Sequence, residues 1–175
     1  MKIAIAQLNY TIGDIDGNAS KIIDSINKAK AQRADLVIFA EQAVSGTPAF
    51  DLLRKTTFLE LCEDALVEIA SCCDGIAAIV GLPILTREGT ISAAALIQDR
   101  KVLRYVGKKY ITARREMGFL VPAHSPTPLY RRTGTMSVRR NSVCRITGRG
   151  AFGLPCRVCR RTNPKVRFRE FRAGR

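Results

Sequence analysis

Two charged residues stand where chemistry gathers in a layered α/β chain. Glu41 follows the apolar run 35–39 by two residues, and a loop of residues 42–50 after it could wall a pocket. Lys108 follows the run 102–106, with only Gly107 between. A carboxylate at a strand end serves as a general base once burial raises its pKa. A lysine there offers a fixed positive charge to an oxyanion. Each has a plainer reading on position alone: Glu41 as a strand-end acid in solvent, Lys108 and Lys109 as a pair of surface lysines. Cys62, Cys72 and Cys73 lie in helix-like sequence, and Cys144, Cys156 and Cys159 in the last third.

The elements that must position these groups follow from periodicity. Residues 2–8 alternate and predict a buried strand. Ala19, Ile22, Ile23, Ile26 and Ala29 recur at helical spacing, predicting a helix from Asn18 to about Gln32, capped by Asn18 or Gly17. Residues 35–39 predict a second strand, parallel to the first. Leu61, Ala65, Leu66, Ile69 and Ala70 predict a second helix over 59–73. Residues 76–80 predict a third strand, closed by Gly81-Leu82-Pro83. Residues 91–98 and 102–106 predict a hairpin turning at Asp99-Arg100-Lys101. The order β-α-β-α-β-β-β gives an α/β layer protein.

The 175 residues carry a formal net charge of +14, and the charge is unevenly placed. Residues 125–175 hold 13 Arg, one Lys and a single acid, Glu170. Residues 1–124 are almost neutral. No apolar run approaches the length of a membrane span, and the first residues turn polar too soon for a secretory signal. The expectation is a cytoplasmic protein with reduced thiols and no membrane partner.

The stretches KIAIAQLNYTIGDIDGNASKI, ADLVIFAEQAVSGTPAFDLL, GLPI and RKVLRYVGKKYI, in that order and spacing, resemble the nitrilase (carbon–nitrogen hydrolase) superfamily. Within it they resemble the amino-terminal glutamine-amidase domain of glutamine-dependent NAD synthetase. Ala40-Glu41-Gln42, Gly46-Thr47-Pro48 and Asp51-Leu52-Leu53 stand where the family has its glutamate motif. Lys108-Lys109-Tyr110 stands at its lysine motif. The resemblance covers residues 1–122 and implies one half of an α-β-β-α sandwich. It implies Glu41 as base and Lys108 as oxyanion stabiliser, with Lys109 the competitor and Glu116 a loosely matching auxiliary acid. It further implies an amide substrate attacked by a cysteine, glutamine or, in another nitrilase-family amidase, a different amide, and a homo-oligomer. The amidase reaction would need no cofactor. ATP and deamido-NAD would serve a synthetase domain that residues 1–122 do not include.

The resemblance stops near Pro122. Cys156 and Cys159 fall at about the nucleophile's place by count, but no apolar strand precedes them and no acid follows. Cys144 is no better placed. The abrupt turn to Arg-rich sequence predicts an irregular basic tail over 123–175, with the composition of a shifted reading frame. The chain by itself is therefore expected to be inactive, and a half sandwich is expected to expose an apolar sheet face. Two further readings rest on the tail. Its arginines, with Tyr130, Phe152, Phe168 and Phe171, suit nonspecific nucleic-acid binding. His124, Cys144, Cys156 and Cys159 form a zinc set whose spacing matches no strong pattern.

Overall fold

The computed structural model describes residues 1–112, 117–123 and 170–172. Cys144, Cys156, Cys159, His124, Glu116 and the aromatic residues Tyr130, Phe152 and Phe168 lie outside the described residues. So do the zinc reading and nearly all of the basic tail.

One sheet organises the described residues, in the order β5-β4-β3-β2-β1-β6. Its strands are β1 (Lys2–Ile5), β2 (Leu36–Ile38), β3 (Ala77–Thr86), β4 (Gly89–Gln98), β5 (Lys101–Gly107) and β6 (Glu170–Arg172). Strands β1, β2 and β3 are parallel, and β3, β4 and β5 form an antiparallel meander. Three residues of the basic region, β6, pair antiparallel with β1, where the sequence predicts no strand. Pairing of backbone to an open edge needs little sequence preference, so composition gave no signal.

Helices α1 (Ile15–Ala31) and α2 (Thr56–Ser71) pack together on one face of the sheet. Helix α1 buries Ile15, Ala19, Ile22, Ile23, Ile26 and Ala29 at helical spacing. It starts three residues earlier than its spacing predicts. Asp14 is the cap, its Oδ1 accepting the Gly17 N–H at 3.0 Å. Asn18 is fully buried instead, drawn inward by three backbone partners described below. In α2 the buried stripe is Phe58, Leu59, Cys62, Ala65, Leu66, Ile69 and Ala70. Leu61, expected on that stripe, is 51% exposed, because it is turned away from Cys62 and Leu59 by about 100° per residue.

Strand β3 does not close at Gly81-Leu82-Pro83 but runs on to Thr86. The reason lies in which side each residue bonds. Ala77 N–H donates to Asp35, Ile79 O accepts from Phe39 and Gly81 O accepts from Val44. That alternation puts the Pro83 nitrogen on the same side, away from β4, so its missing N–H breaks no bond of the meander. The β4–β5 turn is tighter than predicted. Asp99 and Arg100 carry it alone, at φ 50° and 62°, the left-handed pair that suits a two-residue hairpin.

The helix-side face is the core: Ala4, Val37, Ala78, Val80, Leu82, Ala93, Ala95 and Ile97 are all buried there. The opposite face carries Ile5, Ile38, Ile79 and Leu96 in direct register across four strands. Those four remain partly exposed, and Val106 is 59% exposed. Among the described residues no helix is long and apolar enough to cross a membrane.

Candidate active site

Strand direction brings the charged pair together. Strand β5 reverses twice relative to β3 and so points the same way as β2. Glu41 at the carboxyl end of β2 and Lys108 at that of β5 therefore share one edge of the sheet. Two strands lie between them. Gly81 in β3 has no side chain to block the path, and Glu41 reaches across it to β4.

There Ser92 Oγ donates to Glu41 Oε1 at 2.7 Å. Lys108 Nζ lies 3.2 Å from Glu41 Oε1 and 3.5 Å from Oε2. The Lys108 backbone N–H donates to Ser92 O at 2.7 Å, continuing the β4–β5 ladder past Gly107. The Glu41 side chain is 50% exposed and that of Lys108 29%. A pair this open contributes at most about 1 kcal/mol to stability. Its geometry is better explained by what it faces.

It faces a cavity of about 360 Å³ on the open side of the sheet, lined by Glu41, Lys108, Ser92, Ile79, Gly81 and Val106 among others. That size suits a small molecule. Apolar walls with two convergent charges are the usual build of a small-molecule site. Lys109 does not compete for this place. It is exposed, with its Nζ 5.5 Å from the centre of the Tyr110 ring.

The loops that carry Glu41 are tied down. Asn18 Oδ1 accepts the Thr11 N–H at 2.9 Å, and its Nδ2 donates to Thr11 O at 2.7 Å and Val44 O at 3.1 Å. One buried amide thus joins the β1–α1 loop to the loop after Glu41. Val44 N–H also donates to Gly81 O at 3.2 Å. On the lysine side, Ala123 N–H donates to Lys108 O at 2.9 Å. Arg54 holds the approach to Ala123 through Gly118 O at 3.0 Å, stacked 4.9 Å from the Phe119 ring centre. The Tyr10 hydroxyl is buried beside Ala40, with no partner in hydrogen-bonding geometry among the described residues, and burial pushes its pKa up to about 12.

None of the described cysteines reaches the cavity. Cys62, Cys72 and Cys73 are buried in the helix-side core, away from the cavity lining. Burial pushes the Cys62 and Cys73 thiols up to about 12, the opposite of an activated nucleophile. Ser92, Gly81 and Asn18 are the parts of the site that spacing missed. Ser92 did leave a trace, as the hydroxyl inside the apolar stretch ISAAALI.

The carbon-nitrogen hydrolase family model matches residues 2–116. The chain belongs to the carbon–nitrogen hydrolase family. Curated relatives in the family include glutamine-dependent NAD(+) synthetases. That of Xanthomonas campestris is 37% identical over 103 residues, 58% of this chain and 19% of its own length. That of Acinetobacter baylyi is 38% identical over 108 residues, 61% of this chain and 20% of its own. The chain therefore spans about a fifth of the length of those relatives. Among solved structures, the glutamine-dependent NAD(+) synthetase of Cytophaga hutchinsonii aligns with TM-score 0.72 at 21% identity. It covers 77% of this chain and 24% of its own. The NitN amidase of a Nesterenkonia species aligns with TM-score 0.64 at 24% identity, covering 77% of this chain and 54% of its own. Both likenesses show the nitrilase-type α/β fold, as the sequence resemblance implies.

Proposed function

We propose that the site hydrolyses a carboxamide, with the side-chain amide of glutamine as substrate and ammonia as the product passed on to NAD synthesis. The observation that carries this is the Glu41–Lys108 pair, 3.2 Å apart over the cavity. Glu41 takes a thiol proton, and the thiolate attacks the amide carbon. The Lys108 ammonium faces the negative charge that builds on the carbonyl oxygen. The proton leaves with ammonia, and water then splits the thioester to give glutamate. On this reading the step needs side chains and water alone, and ATP and deamido-NAD belong to the synthetase reaction. We take residues 1–122 as the amidase-like unit and 123–175 as a basic tail that touches this unit at Ala123 and at β6.

The thiol must come from beyond the described residues, so we propose that this chain alone is not a complete catalyst. The test mixes the full chain with the part of the Acinetobacter baylyi relative's amidase that follows the 108 matched residues. Ammonia released from glutamine is then measured. The expected result is release from the mixture only, lost with Glu41→Gln and with Lys108→Met. Equal release with Glu41→Gln sinks the reading. Release from the chain alone, lost with Cys156→Ser/Cys159→Ser, would show that its own tail delivers the thiol.

A further inference from the structure

We propose that Ser92 is a positioning residue that fixes which oxygen of Glu41 accepts the proton. The proposal rests on the amidase reading of the site and names a residue that reading does not require.

The two carboxylate oxygens of Glu41 have different partners. Oε1 accepts from Ser92 Oγ at 2.7 Å and meets Lys108 Nζ at 3.2 Å. Oε2 has the longer contact, 3.5 Å to Lys108 Nζ. A hydroxyl-to-carboxylate bond of 2.7 Å is short and charge-assisted. An oxygen that already accepts two donors is a poor site for a third proton. Oε2 is therefore the proton-accepting oxygen.

Ser92 is suited to this by its own fixation. It is 3% exposed, and it lies mid-ladder, paired with Pro83 on one side. Its carbonyl accepts the Lys108 backbone N–H at 2.7 Å on the other. The same residue thus holds the carboxylate by its side chain and the lysine by its backbone. A half-exposed glutamate otherwise has several rotamers open to it. The Ser92 hydroxyl selects one and stays satisfied when Oε2 becomes protonated, because Oε1 is still an acceptor.

The experiment compares Ser92→Thr with Ser92→Val in the full chain. The two side chains match in volume and differ by the hydroxyl. The readout is the ammonium cross-peak of Lys108 in a chain labelled with nitrogen-15 lysine, assigned by its loss in Lys108→Met. Backbone amide spectra report whether each variant is folded. With Ser92→Thr the cross-peak is expected at the wild-type position. With Ser92→Val it is expected to move to the exposed-lysine envelope or to broaden away, as with Glu41→Gln. A folded Ser92→Val whose Lys108 peak coincides with wild type overturns the proposal. So does a folded Ser92→Thr that loses it. Should Ser92→Val not fold, Ser92→Ala replaces it with the same two outcomes. Failure of the amidase reading would appear in ammonia release and would leave this comparison unchanged.

Discussion

Gly81 lies against the backbone of Glu41. A Cβ placed on Gly81 would stand 2.9 Å from Glu41 Cα and 2.7 Å from the Gln42 nitrogen, and closer still to Ala40 O. These are backbone atoms, so no side chain can swing aside. The β2 exit and its glutamate therefore need a glycine in β3. Gly81→Ala is expected to destabilise by about 1–3 kcal/mol, the scale of overpacking, and to shift the Glu41 backbone. Urea midpoints would read the first effect, and the Lys108 ammonium signal the second. Gly118→Ala is the control, since no atom of the described residues lies within 4 Å of a Cβ there. Equal midpoints for the two variants would contradict the account.

Asn18 gives a second prediction. Its side chain satisfies Thr11 N–H, Thr11 O and Val44 O from a fully buried position. Asn18→Ala leaves those backbone groups without partners. A cost on the order of 3 kcal/mol is expected. Asp14→Ala removes a surface cap and should cost about 1 kcal/mol. The order of the two melting temperatures checks the assignment. If Asp14→Ala melts lower, Asn18 is not the tie between the loops.

These residues mark how far the sequence could be read. The placement of Glu41 and Lys108 was legible because both follow apolar runs, and strand ends gather function in parallel sheets. The helices and hairpin were legible from their periods. What spacing missed depends on atoms brought together from distant positions. Gly81 read as a strand terminator because Gly and Pro punctuate sequence, yet here one admits a glutamate and the nitrogen of the other faces the side on which β2 has already ended. Asn18 read as a cap because Asn caps helices often, and its inward turn depends on Val44, 26 residues away. Ser92 meets Glu41 across 51 residues, a distance at which no local period speaks.

The buried thiols yield a prediction with a definite sign. Burial raises Cys62 and Cys73 from an ordinary value of 9.0 to about 12. Folding therefore favours the protonated thiols. Their contribution to stability is fully present below about pH 9, where the unfolded thiols are also protonated. It is lost as pH rises from about 9 through 12, where only the unfolded chain releases protons. Alkylation at pH 8, mapped by mass spectrometry, should leave both cysteines unmodified in the native chain and modify both in urea. Rapid labelling of Cys73 in the native chain would show that the core opens there.

The sheet face that carries the cavity yields the last prediction. Ile5, Ile38, Ile79 and Leu96 line up across β1, β2, β3 and β4, each partly exposed. Among the described residues, both helices lie on the other side. Burying apolar surface gains about 25 cal/mol per Å², so a contiguous stripe favours association over solvation. The purified chain should sediment as concentration-dependent aggregates. The double substitution Ile38→Thr/Ile79→Thr keeps β-branching in the strands while adding hydroxyls to the stripe. It should raise the soluble fraction severalfold without shifting the secondary-structure spectrum. Clean monomeric sedimentation of the unaltered chain, with a cooperative melt, would mean that the stripe is covered.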